Sequence, residues 1–211
     1  MVQETVEYSA NKKELYEEVA LQLRGLFEDC PHVMANLANA SALLNQAMKD
    51  INWVGFYLIE AAGDGKSEQE AVPEEVADGE KEVIRAGEKE VDRKESVEKK
   101  KGEGREEILV LGPFQGRPAC VEIKVGKGVC GTAVAEDRIQ LVKDVHAFPG
   151  HIACDSASNS EIVLPIHKGG KVWGVLDIDS PVLGRFDEED QAGLEKVVGV
   201  VEAMLEENGK K

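Results

Sequence analysis

Three of the four cysteines of this 211-residue chain lie in one loop-rich stretch, between Gly112 and Glu161. Two of the four histidines lie in the same stretch. Glycine and proline stand beside most of these groups, and because both residues fix loop backbone, we expect the reactive side chains to be held in place. The stretch therefore indicates either a metal site or thiol chemistry, with the candidate residues Cys120, Cys130, Cys154, His146 and His151.

A metal site has enough ligands here, since zinc prefers cysteine thiolates and histidine nitrogens. It lacks the usual spacing, however, because the chain contains no Cys-x-x-Cys pair or comparable close knuckle. We therefore predict no metal, and a zinc-stabilised interaction module remains an alternative function.

Thiol chemistry fits this stretch better. A cysteine acts as a thiolate, and Cys154 lies in a polar loop with His151 and Asp155, where small neighbours leave it accessible. Cys120 and Cys130 are candidates to resolve an oxidised Cys154 through a disulfide. Cys130 is predicted at or just before a helix N-terminus, where the helix dipole and free N–H groups favour the thiolate. The alternative is that all three cysteines are half-buried and inert.

Acidic residues near the end of a predicted strand form a second candidate site. Alternation along that strand places Trp173, Asp177 and Asp179 on one face. Two close carboxylates cannot both ionise without cost, so one of them should keep its proton to higher pH. With Glu161 on a neighbouring strand, the acids predict a negative pocket for a small cation or zwitterion. The alternative is a strand that ends in solvated acids.

Two aromatic residues are the third candidate feature. Alternation in Ile51–Ile59 places Trp53, Gly55 and Tyr57 on one face of a strand. Because Gly55 has no side chain, the two rings would flank a slot suited to a ligand with a cation or a polarizable sulfur. The alternative is an aromatic pair within the core.

The elements that must position these residues follow from the hydrophobic pattern. Near-helical spacing predicts a helix over Lys12–Phe27 behind an Asn11 cap, with Leu15, Val19, Leu23 and Leu26 on its apolar side. A second helix should run from Pro31 through Met48, with Met34 among its apolar residues.

Strands and further helices follow in the second half of the chain. The pattern predicts an α+β domain in which helices cover a central antiparallel sheet. The strands are Ile51–Ile59, Ile108–Leu111 (broken by Gly112–Pro113), Ala119–Val125, Ile139–Val142, Glu161–Ile166 and Val172–Ile178, with a turn at Lys168–Lys171. Helices are predicted from Thr132 and over Asp187–Glu207.

Composition excludes several classes of partner. The chain has 41 acidic and 25 basic residues and a net charge of -16, which disfavours nucleic acid and anionic membrane surfaces as partners. No apolar run approaches the roughly 18 residues of a membrane helix, and because the N-terminal stretch has no apolar core, we expect that it is not a secretory signal. We therefore expect a cytoplasmic protein, with the nucleus as the alternative, whose cysteines are catalytic or metal-binding.

The segment from Ala61 to Glu107 differs from the rest of the chain. It contains 16 acidic and 10 basic residues, with no aromatic residue and no cysteine. Such a sequence cannot bury enough apolar area to offset its chain entropy. We predict a charged low-complexity insertion at about 61–107, between two paired strands of a single domain.

Five segments resemble the free methionine-(R)-sulfoxide reductases, which are single-domain enzymes with the GAF fold that reduce free methionine (R)-sulfoxide. The segments are INWVGFYL, LGPFQGRPAC, GKGVCGTA, DVHAFPGHIACDSASNSEIV and GVLDIDSP. The resemblance covers about residues 12–60 and 108–205, and its motifs are long and nearly unbroken. The clear departure is the Ala61–Glu107 segment, which is longer than the hairpin usual there and contains no site motif.

The resemblance implies roles for individual residues. Cys154 resembles the catalytic cysteine, Cys130 the main resolving cysteine and Cys120 a second resolving partner, whereas Cys30 matches no site motif and is taken as structural. The pocket aromatics correspond to Trp53 and Tyr57. The carboxylates that hold the amine and the sulfoxide of the substrate correspond to Glu161, Asp177 and Asp179.

The resemblance also implies a reaction. The Cys154 thiolate attacks the sulfoxide sulfur while one of the three carboxyl groups protonates the oxygen. Cys154 becomes a sulfenic acid, which condenses with Cys130 or Cys120, and thioredoxin reduces the resulting disulfide. No metal or organic cofactor is needed, and a homodimer is implied. A GAF-type sensor that binds a small molecule without catalysis is the alternative.

Overall fold

The computed structural model of the protein describes residues 7–61, 106–150 and 156–208. The described residues among 1–61 and 107–211 group into one compact unit. The predicted low-complexity insertion lies outside the described residues except at its two ends, and the segment that carries His151, Cys154 and Asp155 lies outside them entirely. In the described ranges, no helix is long and apolar enough to cross a membrane.

The described part of the chain contains a six-stranded antiparallel sheet. Its strands are β1 (Trp53–Ala61), β2 (Glu107–Gly116), β3 (Glu122–Lys124), β4 (Gln140–Val142), β5 (Ser160–Lys168) and β6 (Lys171–Ser180). Their order across the sheet is β3-β2-β1-β6-β5-β4. The α-helices are α1 (Lys12–Phe27), α2 (Val33–Ala47), α3 (Gly128–Glu136) and α4 (Glu188–Asn208), and a short 3-10 helix spans Val145–Ala147. The α+β class predicted from the sequence is confirmed.

The two faces of the sheet belong to different apolar clusters. Helices α1, α2 and α4 pack with the face that contains Phe56 and Ile178. Helix α3 packs with the opposite face, which contains Tyr57 and Val175. Neighbouring positions on β1 and β6 therefore point into different clusters, as the alternation of side chains along a strand requires.

Helix α1 begins and ends where the sequence predicts. The side chain of Asn11 accepts a hydrogen bond from the Glu14 N–H at 3.2 Å, which satisfies one of the free donors of the first turn. The buried stripe continues from Leu23 to Phe27, so Leu26 lies beside it and is 45 % exposed. The prediction that Leu26 belongs to the apolar side is wrong, and so is that for Met34 of α2, which is 50 % exposed.

Strand β2 continues through Gly112 and Pro113, where the sequence predicted a break. The register between β1 and β2 shifts between Gly55 and Tyr57, so that two residues of β2 lie opposite one residue of β1. This irregularity is a β-bulge, and a bulge tolerates a proline, which has no N–H to donate to the sheet. The extended strand carries Phe114 to a position opposite Gly55.

Two other strand predictions also change. The strand predicted over Ala119–Val125 is reduced to the three residues of β3. A second register shift, between Ile166 and His167 of β5, leaves Trp173 of β6 outside the regular pairing. Trp173 consequently packs with the cluster that α1, α2 and α4 cover, and not on the face of Asp177.

His167 of β5 joins three elements. Its Nε2 lies 2.8 Å from Asp137 Oδ1 at the end of α3, and its Nδ1 lies 2.9 Å from Glu202 Oε1 of α4. Partial burial lowers the pKa of His167, but the hydrogen bonds to Glu202 and Asp137 outweigh burial, so that the pKa is raised. The charged ring is favoured because only imidazolium donates from both nitrogens at once.

A close crossing of α1 and α4 at Gly193 gives a test of packing. A Cβ at Gly193 would overlap the Tyr16 ring, so Gly193→Ala should lower the free energy of unfolding by about 1–3 kcal/mol. Gly199 of the same helix has open space around it, and Gly199→Ala should raise that free energy by up to about 1 kcal/mol. Urea unfolding of both variants measures the difference, and effects of the same sign would contradict this packing.

The His167 ion pairs predict a pH-dependent contribution to stability. Because the folded pKa is raised, the contribution is complete below the unfolded pKa of about 6.5 and is lost as pH rises through the folded pKa. The difference in unfolding free energy between wild type and His167→Gln should therefore be largest in mild acid and shrink towards alkaline pH. Urea unfolding across this range measures it, with His32→Gln at the exposed start of α2 as the control. A difference that grows with pH would contradict the assignment.

Candidate active site

The register of the three central strands brings the predicted carboxylates together. Trp53 of β1 pairs with Asp179 of β6, and Asp179 pairs in turn with Glu161 of β5. Two residues further along β1, Gly55 pairs with Asp177. Glu161 and Asp177 are therefore diagonal neighbours on one face of the sheet, within reach of each other's side chains.

Helix α3 adds a thiol to the two carboxyl groups. The Sγ–H of Cys130 donates to Asp177 Oδ2 at 3.2 Å, and Glu161 Oε1 lies 3.9 Å from the same sulfur. All three side chains are buried, with residue exposures of 3 to 7 %. The helix can approach the sheet closely because Gly131 follows, and a Cβ there would meet the carbonyl oxygen of Lys124.

Burial controls the protonation of the carboxyl pair. It raises the pKa of Glu161 well above the usual range, and the nearby charges of Asp177 and Asp179 raise it further. Burial also raises the pKa of Asp177 to about 6, although hydrogen bonds from Cys130 and Glu161 oppose the shift. These shifts favour the state in which Glu161 keeps its proton and donates it to Asp177. Asp177 Oδ1 is buried and has no hydrogen-bond partner among the described residues, so it can accept from a bound cation.

The structure corrects the predicted state of Cys130. It lies in the first turn of α3, as the sequence indicates. The predicted preference for the thiolate is wrong, because burial and the adjacent charges of Asp177 and Glu161 raise the pKa of the thiol well above its usual value. The helix dipole is thus outweighed by desolvation and by like charge. The thiol of Cys130 is protonated in this conformation and donates to a carboxylate.

The space beside Gly55 is filled. A Cβ at Gly55 would lie 2.6 Å from the Trp53 ring and would overlap the side chain of Phe114, so the predicted open slot is absent at this position. Trp53 stacks on Phe114 with ring centroids 5.4 Å apart, and on Tyr57 at 5.9 Å. Residues Trp53 and Tyr57 are 2 and 1 % exposed. They form one wall of the site and do not flank an empty slot.

The polar atoms of both aromatic residues contact the segment between β2 and β3. Trp53 Nε1–H donates to the Arg117 carbonyl at 3.2 Å, and the Tyr57 hydroxyl donates to the Cys120 carbonyl at 2.9 Å. Sequence reasoning missed these bonds, because they depend on the bulge that extends the pairing of β2 with β1 as far as Gly116. Cys120 is disulfide-bonded, whereas Cys30 and Cys130 are free thiols.

The residues considered for zinc do not converge in the described part of the chain. His146 Nε2 lies 3.0 Å from Asn159 Oδ1, and His151 and Cys154 lie outside the described residues. Among the described residues, the group with ligand atoms close enough for a metal ion is Cys130, Glu161 and Asp177, and it contains no histidine. This group is the carboxyl pair and thiol already described.

The fold is that of a known domain. The sequence pattern of the GAF domain matches residues 40–205, which is most of the chain. The chain therefore belongs to the GAF-domain family.

Similar proteins narrow the family further. The free methionine-R-sulfoxide reductase of Escherichia coli is 42 % identical over 92 % of this chain and 91 % of its own length. The structure of fRMsr from Staphylococcus aureus in complex with substrate is 44 % identical, with a TM-score of 0.65 over 90 % of this chain and 95 % of that chain. The free methionine-R-sulfoxide reductase of Neisseria meningitidis, solved with its substrate, is 35 % identical. Its TM-score is 0.70, over 97 % of this chain and 96 % of that chain. These matches place the chain among the free methionine-R-sulfoxide reductases of that family.

The electrostatic origin of the raised Cys130 pKa gives a third test. In Glu161→Gln/Asp177→Asn the charges of these two carboxylates are gone, and only burial and the charge of Asp179 remain, so the pH midpoint for alkylation of Cys130 should fall. The rate of iodoacetamide labelling of the fully reduced protein, followed by peptide mass, measures the midpoint. Cys30 in the same molecule serves as the internal control and should be unaffected. An unchanged or higher midpoint at Cys130 would show that the carboxylates do not control this thiol.

Proposed function

We propose that this protein reduces free L-methionine (R)-sulfoxide to L-methionine, with Cys154 as the nucleophile. The observation that carries the proposal is the buried pair of Glu161 and Asp177 facing the Cys130 thiol on one side of the sheet. Such a site combines one proton with one negative charge and thiol chemistry, which is what sulfoxide reduction requires. The relatives named as free methionine-R-sulfoxide reductases support the same substrate.

The carboxylates account for a preference for the free amino acid. Asp177 carries the negative charge of the pair, and its Oδ1 atom lacks a partner among the described residues. Asp179 of β6 pairs across the sheet with Trp53 of β1 on one side and with Glu161 of β5 on the other. A substrate ammonium would satisfy this buried charge, whereas a methionine within a peptide has no ammonium to offer. Trp53 and Tyr57 supply the apolar wall for the side chain of the substrate.

The first chemical step transfers oxygen between two sulfur atoms. The Cys154 thiolate attacks the sulfoxide sulfur while the proton of the Glu161–Asp177 pair passes to the sulfoxide oxygen. The oxygen then moves to the cysteine sulfur, which gives methionine and a sulfenic acid at Cys154. The substrate sulfur gains two electrons and the cysteine sulfur loses two. A positioned acid of this kind contributes about 10²- to 10⁴-fold to a rate.

The second step regenerates the enzyme. The thiol of Cys120 or Cys130 attacks the sulfenic sulfur, the S–O bond breaks, water leaves and a disulfide forms. Thioredoxin then reduces the disulfide by two thiol–disulfide exchanges and becomes oxidised itself. The disulfide-bonded state of Cys120 supports this residue as a resolving cysteine. The free Cys130 thiol needs to lose its proton before it can attack, and burial beside carboxylates opposes that loss.

Three further features belong to the same proposal. The protein is a single GAF domain interrupted at about 61–107 by a charged insertion. It acts in the cytoplasm, with thioredoxin as its reductant and without a metal or an organic cofactor. It forms a homodimer, as the resemblance to the reductase family implies.

A coupled assay tests the function directly. With thioredoxin, thioredoxin reductase and NADPH present, we expect NADPH loss with free methionine (R)-sulfoxide, and none with the free (S) epimer or a peptide-bound (R)-sulfoxide. Cys154→Ser should abolish turnover without unfolding the protein, because it removes the nucleophile alone. Cys30→Ser is the matched control and should keep full activity.

Two outcomes would contradict the proposal. No NADPH loss with any of the three compounds, from folded protein with reduced thiols, would favour a GAF module that binds a small molecule without catalysis. Equal rates with free and peptide-bound (R)-sulfoxide would be consistent with sulfoxide reduction. They would refute the role of the carboxylates in holding a free ammonium.

A further inference from the structure

The segment between β2 and β3 is tied to the wall of the site through its own backbone. Two of its carbonyl groups, those of Arg117 and Cys120, accept hydrogen bonds from the Trp53 indole and the Tyr57 hydroxyl. At its far end, the Val121 carbonyl accepts from the Leu111 N–H at 2.9 Å. The backbone around Cys120 is therefore held at successive points by strands β1 and β2.

Both side-chain donors are buried. Trp53 lies between two rings, stacked on Phe114 and on Tyr57. Burial raises the pKa of the Tyr57 hydroxyl, and the charge of Asp177 adds to the effect, so this group stays protonated and able to donate. A buried Tyr or Trp normally finds a partner for its polar atom, and here both partners lie in the segment of Cys120.

We propose that Trp53 and Tyr57 are positioning residues for Cys120, which fix its backbone so that its thiol can attack the oxidised catalytic cysteine. This inference rests on the proposed reductase function. The step that they assist is the formation of the disulfide, in which the Cys120 thiol bonds to the sulfenic sulfur and water leaves. Their contact with the substrate side chain is a separate role in an earlier step.

The two roles can be separated because the chain contains two candidate resolving cysteines. In a Cys130→Ser background the disulfide must form through Cys120, and in a Cys120→Ser background it must form through Cys130. Tyr57→Phe keeps the ring and its stacking but removes the hydroxyl that holds the Cys120 carbonyl. A positioning role predicts an effect in the first background and none in the second.

The experiment follows a single turnover by rapid quenching. Fully reduced protein is mixed with free methionine (R)-sulfoxide, and a dimedone-type probe measures how long the sulfenic acid persists. Tyr57→Phe should slow its disappearance about 3- to 10-fold in the Cys130→Ser background, the range expected for the loss of one hydrogen bond. The rate of its disappearance should be unchanged in the Cys120→Ser background. Because Tyr57 also lines the substrate pocket, the lifetime is timed from the completed formation of the sulfenic acid at saturating substrate, so that a change in substrate binding does not enter it.

A matched control removes a buried tyrosine hydroxyl elsewhere. Tyr16 of α1 donates to Asp190 at 2.7 Å, on the opposite side of the sheet. Tyr16→Phe in the Cys130→Ser background should lower stability without changing the lifetime of the sulfenic acid. An equal slowing by both substitutions would assign the effect of Tyr57 to general stability and would overturn the proposal. Slowing by Tyr57→Phe in both cysteine backgrounds would do the same.

A second measurement does not depend on the reaction. Amide hydrogen exchange of residues 117–121 should be faster in Tyr57→Phe than in wild type, because a bond that holds the segment is lost. Unchanged exchange would overturn the anchoring itself. Faster exchange together with no sulfenic acid in either parent variant would instead refute the reductase function, and with it the role of the anchor in catalysis.

Discussion

The main physical constraint on this structure is the burial of two carboxyl groups beside a thiol. A single buried charge is costly, and the arrangement reduces the cost by sharing one proton between Glu161 and Asp177 and by donating the Cys130 S–H to the remaining negative oxygen. The neighbouring elements make this possible. The register of β1, β6 and β5 sets the carboxyl groups side by side, and the close packing of α3 brings the sulfur to them.

This arrangement also lets Glu161, Asp177 and Cys130 take part in successive steps of the proposed reaction. A carboxyl pair that shares a proton can hold a cation and release a proton without a change of fold. In the proposed reaction, the Cys130 thiol that stabilises the ionised carboxylate would give up that bond on forming a disulfide. Substrate charge and thiol redox state would then be linked through Asp177.

The sequence predicted most of the strands and which of the acidic residues share a face, because the alternation of side chains along a strand is a local property. Glu161, Asp177 and Trp53 came together as expected once β1, β6 and β5 paired. The protonation of Cys130 could not be predicted in this way, since it depends on carboxylates from two other strands. The filled space at Gly55 had a similar cause, because a bulge in β2 brings Phe114 across from a distant part of the chain. Both the protonation of Cys130 and the space at Gly55 depend on contacts between residues far apart in the sequence, so neither the helix dipole nor the glycine alone predicts them.

Strands β1 and β2 remain paired out to Ala61 and Glu107, where a long connection leaves the sheet. This end of β1 is remote from Trp53, since the strand from residue 53 to residue 61 spans about 26 Å at ~3.3 Å per residue. The entropic cost of closing a loop rises slowly with loop length, so the sheet tolerates a connection of almost any size here. This connection is therefore a suitable site for circular permutation or for insertion of a fluorescent reporter. Either change would leave the candidate site at the other end of β1 intact.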